Sequence, residues 1–274
     1  MGRFWSLLFL LVPILGVAVF VIAVADVWPM QNHWFPEDIS EHGHIIDGLF
    51  NFIMYLTGAI FVATGFALFW FLWKYDASRC TESTKFVHGS HMLEVVWSIL
   101  PAATLLFIAI FQMDTWAGAK IERPALFPGR DGIPGTDDDT ALVEITGRQF
   151  EWRVRYAGKD QILGTSDDLF TVNELHLPVN EPATIAIKSM DVLHSLFIPN
   201  VRVKQDVVPG MKQYVWFTPT KEGQYDIVCA ELCGWGHYKM KGRMTVESRA
   251  SYDQWLESLE IEQNMSVYEP VEED

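Results

Sequence analysis

Three long apolar runs constrain this chain more than anything else in it. The first extends from Phe4 to Ala25. The second, Leu49 to Trp73, contains no charged residue, and the third, Met92 to Met113, carries only Glu94 near its start and Pro101 within it. Each is long enough to cross about 30 Å of hydrocarbon as a helix. The rest of the chain, from Asp114 onward, is rich in short polar-punctuated segments. The expected class is therefore a membrane anchor followed by one globular domain.

Charge gives the anchor a direction. The four Lys/Arg residues before position 114 are Arg3, Lys74, Arg79 and Lys85, at the start of the chain or between the second and third runs. Residues 26–48 hold Asp26, Glu37, Asp38, Glu41 and Asp47 and no Lys or Arg. The positive-inside bias places residue 1 and the 74–91 loop in the cytoplasm, with 26–48 and everything after about 114 outside. The first run has a second reading, because Arg3, the apolar stretch and Ala23-Val24-Ala25 resemble a cleavable signal peptide. Its roughly 20 apolar residues exceed the usual 7–15 of a signal core, which favours a retained helix.

The exported part is acidic. Of 35 Asp/Glu and 20 Lys/Arg residues, 27 and 16 lie from Asp114 onward. Such a domain repels nucleic acid and can attract a basic soluble partner; the alternative is plain solubility, which accounts for Glu269–Asp274 of the acidic tail at 263–274. On this topology Cys80 is a cytoplasmic free thiol, leaving Cys229 and Cys233 as the outside pair.

Short stretches of apolar alternation recur in the exported domain at Leu142–Thr146, Phe150–Tyr156, Phe170–Leu177, Ala183–Lys188, Gln213–Thr218, Gln224–Cys229 and Gly242–Glu247. Gly, Pro, Asn and Asp clusters separate them. This pattern predicts a β-sandwich or barrel, closed by a helix whose Tyr252, Trp255, Leu256 and Leu259 form one apolar face. An eleven-residue segment, Gly129 to Asp139, recurs as Gly158 to Asp168. Its carboxylates (Asp131, Asp138 and Asp139; then Asp160, Asp167 and Asp168) could supply oxygen ligands for calcium. The alternative is a pair of Asx/Gly turns.

Cys229, Cys233, His237 and Met240 lie within twelve residues. Two thiolates, an imidazole and a thioether form a soft-ligand set that points to copper. Two thiolates at this spacing can bridge a pair of metals. A pair needs a second imidazole, for which His194, in a loop after a predicted strand, is the best placed. Zinc would use the same Cys and His residues but leave Met240 idle and give no redox chemistry. A Cys229–Cys233 disulfide is a further alternative in an oxidising compartment, and a core role fits Met240 alone.

Four motifs carry a resemblance: Met92-Leu-Glu-Val-Val-Trp-Ser-Ile-Leu-Pro101, Asp191-Val-Leu-His194, Lys204-Gln-Asp-Val-Val-Pro-Gly210, and the run from Cys229 to Met240. Over about Leu49 to Val246 the chain resembles subunit II of haem–copper cytochrome c oxidases. The resemblance implies a membrane-anchored all-β protein. A cupredoxin-like Greek-key sandwich would follow a transmembrane helical hairpin (49–113), with the N-terminal helix additional; the sandwich would span 114–262. It implies a dinuclear CuA centre with Cys229 and Cys233 bridging, His194 and His237 each on one copper, and Met240 and the Glu231 carbonyl as weak ligands. The Glu231 side chain would meet a magnesium ion at the subunit I interface, near Asp206 on a proton or water exit route. Glu94 would stand at the mouth of a proton-uptake channel of subunit I, or make a structural contact to a neighbouring subunit.

The implied role is electron entry to a terminal, proton-translocating oxidase of a bacterial-type inner membrane. Electrons from cytochrome c or a similar carrier would pass to haem in subunit I, where oxygen is reduced, with subunit III as a further partner. One departure concerns the doorway: where the family has Gln-Trp-aromatic-Trp, this chain has Gln149-Phe150-Glu151-Trp152. Phe150 holds the usual entry position, and Trp152 or Trp235 are the substitutes. The intact ligand set argues against a quinol oxidase. A membrane-tethered copper or thiol-redox protein without an oxidase would not need Glu94 and Trp97–Pro101, and the CuA domain of nitrous-oxide reductase lacks these spans.

Overall fold

The computed structural model describes residues 2–31, 33–76, 83, 86–127, 133 and 141–266. They form two compact units, one comprising Met1–Pro36 and Ile45–Thr115, the other Glu37–His44 and Trp116–Asp274. Arg79, Cys80 and Lys85 lie outside the described residues, as do Asp131, Asp138 and Asp139 of the first Asp/Gly segment.

The first unit consists of three helices long and apolar enough to cross a membrane: α1 (Gly2–Val24), α2 (Gly43–Lys74) and α3 (His91–Phe111). Small residues seat large ones where α1 meets α2. A Cβ at Gly65 would lie 3.0 Å from the Pro13 ring, and one at Gly16 would lie 3.1 Å from Phe61. Close approach at glycine is how helices pack where lipid offers no hydrophobic driving force. Phe52 packs edge-on against Phe107, tying α2 to α3. Ser90 caps α3, its hydroxyl accepting from the Leu93 amide, and Glu94 occupies the first turn, where the helix dipole favours a carboxylate.

The second unit begins with α4 (Met113–Lys120, of which Trp116 onward belongs here) and ten strands. These are β1 (Val143–Arg148), β2 (Glu151–Tyr156), β3 (Leu169–Val172), β4 (Glu174–Pro178), β5 (Ala183–Ser189), β6 (His194–Ile198), β7 (Val203–Val207), β8 (Gln213–Phe217), β9 (Gly223–Cys229) and β10 (Lys241–Glu247). Two five-stranded sheets result, in the orders β3-β2-β1-β5-β8 and β4-β10-β9-β6-β7. The pairs β1/β5 and β4/β10 are parallel and the others antiparallel. Alternation on β2 buries Trp152, Val154 and Tyr156 and leaves Glu151, Arg153 and Arg155 partly exposed. That is the period-two signature of a strand with one face on a core. The closing helix, α5 (Arg249–Ser266), lays Tyr252, Trp255, Leu256 and Leu259 on this core as expected. Trp255 stacks flat on His176, centroids 3.9 Å apart.

Three differences from the sequence reading have physical causes. The stretch Phe170–Leu177 is two strands, broken at Asn173, whose φ of +61° no strand accommodates. His194 does not lie in a loop; it opens β6 opposite Val207. That strand lacks alternation because both its faces are covered: His194, Ser195, Leu196 and Ile198 are all buried. The acidic stretch at 26–48, read from the sequence only as an external linker, also pairs with the sandwich. The Ile39 amide donates to Asn200 O at 3.0 Å, and the Thr220 amide donates to Ile39 O at 2.7 Å. The Ile39 side chain is fully buried in the sandwich core, which stabilises by about 1.5–3 kcal/mol.

A candidate copper centre at one end of the sandwich

The twelve-residue soft-ligand run is the connection of the β9/β10 hairpin, and its two ends are clasped together. The Cys229 amide donates to Met240 O at 3.2 Å, so the first and last candidate ligands are neighbours. Between them the chain turns tightly, with the His237 amide donating to Gly234 O and the Met240 amide to His237 O. Because β6 runs antiparallel to β9, with Leu196 opposite Cys229, the start of β6 reaches the same end of the sheet. His194 arrives there from 35 residues earlier in the chain.

The donors converge. Cys229 Sγ and Cys233 Sγ are 3.8 Å apart, His194 Nδ1 is 3.9 Å from Cys229 Sγ, and His237 Nδ1 is 3.6 Å from Cys233 Sγ. Met240 Sδ lies 3.7 Å from Cys233 Sγ, and the Glu231 carbonyl 3.2 Å from Cys229 Sγ. Each imidazole therefore flanks a different cysteine. The ligand atoms of His194, Cys229 and Cys233 all lie within 4.8 Å of one another. A disulfide has sulfurs about 2.05 Å apart, so the pair is two free thiols. Two sulfurs each about 2.3 Å from a shared tetrahedral metal stand about 3.8 Å apart, which matches the observed spacing. The residues fit a soft metal.

A second layer holds these donors. Asp191 accepts from His194 Nε2 at 2.8 Å, and from the Gln149 and Val192 amides at 2.8 and 2.6 Å. That contact keeps Nε2 protonated and turns Nδ1 toward Cys229, as a carboxylate behind a ligating histidine does. The Gln149 side chain donates to Cys233 O. The β1–β2 turn thus touches both ligand-bearing segments, His194 through Asp191 and Cys233 directly. Two glycines let the copper loop ride on this turn. A Cβ at Gly234 would lie 2.7 Å from Gln149 Nε2, and one at Gly236 2.5 Å from Phe150 Cδ2. The sequence reading passed over Gln149 and Asp191 as holding residues; the spacing of Asp191 three before His194 is the one signal available for it.

Electrostatics splits the two thiols. Burial opposes ionisation of Cys229, but hydrogen bonds from His194 and the Ser195 and Glu231 backbone outweigh it and bring the thiol down to about 6. Burial and the charge on Cys229 together push Cys233 up to about 11. For His194, burial opposes protonation, and contacts with Cys229 and Asp191 outweigh it and raise its pKa. Desolvation also works against the Asp191 carboxylate, yet the Gln149 amide and His194 hold it below the usual range.

The other sequence-predicted residues fall as follows. Trp152 is fully buried, its ring 6.0 Å from that of His194, a core position that removes it from the surface entry points. Phe150 is partly buried and meets Trp235 edge-on at 5.2 Å. Glu231 is half-buried beside Cys229, and Asp206 is exposed on β7, opposite Ser195. Glu94 is exposed at the start of α3. In the second Asp/Gly segment the carboxylates serve the backbone. Asp160 accepts from the Ile162 amide, Asp167 from the Asp160 amide and the Thr165 hydroxyl, and Asp168 from the Gly164 amide. Arg155 Nε lies 3.6 Å from Asp168.

Two family profiles match the chain: "Cytochrome C oxidase subunit II, transmembrane domain" over residues 26–114 and "Cytochrome C oxidase subunit II, periplasmic domain" over 156–248. The chain is 28% identical over 266 residues to the alternative cytochrome c oxidase subunit 2 of Bradyrhizobium diazoefficiens, covering 88% of this chain and 90% of that one. It is 31% identical over 192 residues to cytochrome c oxidase subunit 2 of Alkalihalophilus pseudofirmus, covering 70% of this chain and half of that one. The crystal structure of the periplasmic domain of oxidase subunit II from Bradyrhizobium japonicum is 24% identical. It covers 44% of this chain and 94% of that one, with a TM-score of 0.40.

Proposed function

This chain belongs to the cytochrome c oxidase subunit II family, the electron-entry subunit of haem–copper oxidases, and from that premise we propose how its own residues serve the task. The family binds copper, and the His194–Cys229–Cys233 group is the site for it here. The reading is a dinuclear CuA centre, carried by one observation: six donors converge where a single tetrahedral ion needs four. Cys229, Cys233, His194 and His237 would be the principal residues holding the centre, with Met240 and the Glu231 carbonyl as weaker ones.

When bound, such a centre supplies one-electron exchange spread over two metals. Everything else falls to the chain. Asp191 and Gln149 fix His194 and the Cys233 carbonyl, so little reorganises between oxidation states. The sandwich excludes water from one side of the site, where His194, Cys233 and Met240 are buried. Loading metal requires both cysteines as thiolates. At neutral pH Cys229 already supplies one, so Cys233 is the thiol that must surrender a proton.

On this reading the acidic exported domain receives a basic soluble electron carrier such as cytochrome c, and electrons pass on to haem in subunit I, with subunit III as a further partner. Glu231 would contact a magnesium ion at the subunit I interface, Asp206 would line an exit route, and Glu94 would stand at a proton entrance. The hydrogen bonding of Asp160, Asp167 and Asp168 favours turns over calcium. On this reading the extra helix α1 is retained, which its close packing against α2 at Gly65 and Gly16 supports. The test is purification of the complex through this chain. A haem-bearing partner should co-purify and oxidise reduced cytochrome c, and Cys233→Ser should keep the partner while abolishing that oxidation. Full activity in Cys233→Ser, or no haem partner, contradicts the proposal.

A further inference from the structure

We infer that Trp235 is the residue through which a soluble carrier passes its electron to the copper loop, with Phe150 as its support; this rests on the copper reading above. The three aromatic candidates differ sharply in exposure. Trp152 has no exposed surface, Phe150 is partly buried, and Trp235 is 81% exposed. An electron from another protein must first reach a surface atom, so Trp152 is excluded and Trp235 is favoured.

Connectivity points the same way. In Cys233-Gly-Trp235-Gly-His237, the indole is two residues from a candidate ligand on either side. Tunnelling falls steeply with distance through space and far less through bonds, so this short covalent route dominates. The two glycines are needed for another reason: any side chain at 234 or 236 would strike Gln149 or Phe150. The loop is therefore pressed onto the β1–β2 turn, and the Phe150 ring buttresses the indole edge-on at 5.2 Å and 68°. A phenyl ring here holds Trp235 in place, and its own exposure to a donor is limited by the ring it supports.

The surroundings suit a docking carrier. The two ligand-bearing segments expose Leu232, Tyr238 and Met190 at 75%, 68% and 64%. Large exposed apolar side chains next to a site suit an interaction surface, and large aromatics dominate such surfaces. The chain's net charge of −15 selects a carrier with a basic rim around an apolar cofactor edge. The step is a bare electron transfer. The reduced one-electron carrier loses one electron, the oxidised copper pair gains it, and no bond or proton moves.

The experiment uses the assembled oxidase with wild-type chain, Trp235→Leu, Trp235→Phe and Phe150→Leu. Reduction of the copper band by reduced cytochrome c is followed by stopped flow, with a small-molecule reductant as control. Copper spin resonance is recorded on each sample, and calorimetry gives the affinity of the oxidised carrier. Trp235→Leu should slow reduction by the protein donor at least about tenfold and weaken its binding, the scale of losing an interface anchor. Its reduction by the small reductant and its spin-resonance signal should match wild type. Trp235→Phe should recover part of the rate. An unchanged rate in Trp235→Leu, or a loss in Phe150→Leu that Trp235→Leu does not share, overturns the assignment. Absence of the two-copper signal from wild type refutes the copper reading itself, and the entry assignment with it.

Discussion

Gly147 offers the sharpest test of how the second layer fixes the site. It lies in β1 with an ordinary backbone conformation, opposite Trp152 on one side and Ser189 on the other. In open space Gly147→Ala would stabilise by about 0.4–1 kcal/mol, because alanine leaves the unfolded chain less freedom. The structure reverses that sign. The new methyl would stand 2.9 Å from His194 Cδ2, 3.2 Å from its Cγ and 3.3 Å from Trp152 Cζ3. Neither ring can yield, since both are fully buried and His194 is pinned from behind by Asp191. Overpacking of this kind costs about 1–3 kcal/mol. Subtracting the entropic gain leaves a net loss of about 1.3 kcal/mol at the centre of the range and at most about 2.6, or roughly 3–5 °C in Tm at the centre for a domain of this size. On the copper reading the displaced ring is also a ligand, so the rise in Tm on adding copper should shrink by linkage. Melting of the sandwich is followed by near-ultraviolet circular dichroism on metal-free and copper-loaded chain, with Gly118→Ala, whose methyl meets nothing within 4 Å, as control. A metal-free Gly147→Ala protein as stable as wild type or more so, with an undiminished copper increment, refutes this account of the site.

Three other expectations concern the same domain. Cys229 has a folded pKa of about 6, below its unfolded value, so its ionised form adds stability that is complete above the unfolded value and lost as pH falls through about 6. Cys233, at about 11, adds stability that is complete below its unfolded value and lost as pH rises toward 11. His194, whose pKa is raised, works against Cys229 just above the ordinary histidine value; the metal-free Tm should therefore climb once His194 has lost its proton, peak near pH 9 and decline above it, and a profile that falls from the end of that titration to pH 9 contradicts the split. Met240→Leu conserves volume at a buried position, so stability should change by less than about 1.5 kcal/mol. The metal count should be unchanged and the copper spectrum altered, whereas loss of a copper would make Met240 a principal ligand. Millimolar calcium should leave Tm unchanged, because Asp160, Asp167 and Asp168 already accept backbone amides; a concentration-dependent rise would restore the calcium reading.

What the residues disclosed in advance depended on whether the deciding interaction was local. The membrane spans, the strands with clean alternation and the apolar face of α5 are written in short windows, and they emerge close to their expected bounds except that α2 starts at Gly43, ahead of the uncharged run from Leu49. Cys229, Cys233, His237 and Met240 were legible for the same reason, being folded into one hairpin connection. The strand β6 was hidden because burial on both faces erases alternation, and with it went the fact that His194 starts a strand. Asn173 gave no warning of the break between β3 and β4, since asparagine tolerates both strand-flanking and left-handed conformations. The attachment of Ile39 to Asn200 and Thr220 joins segments some 160 to 180 residues apart in the chain. No local window contains such a pairing. The part played by Gln149 is of the same kind, since its two partners, Asp191 and Cys233, are distant in sequence and meet only after both sheets have formed.

The claim on which the rest depends is that six donors hold two metals. It is tested most directly on the purified full chain loaded with copper, by metal analysis together with electron paramagnetic resonance. Two copper ions per chain are expected, with one unpaired electron whose hyperfine pattern arises from two copper nuclei. A single copper with a one-nucleus pattern, or a chain that prefers zinc and gives no signal, would contradict it.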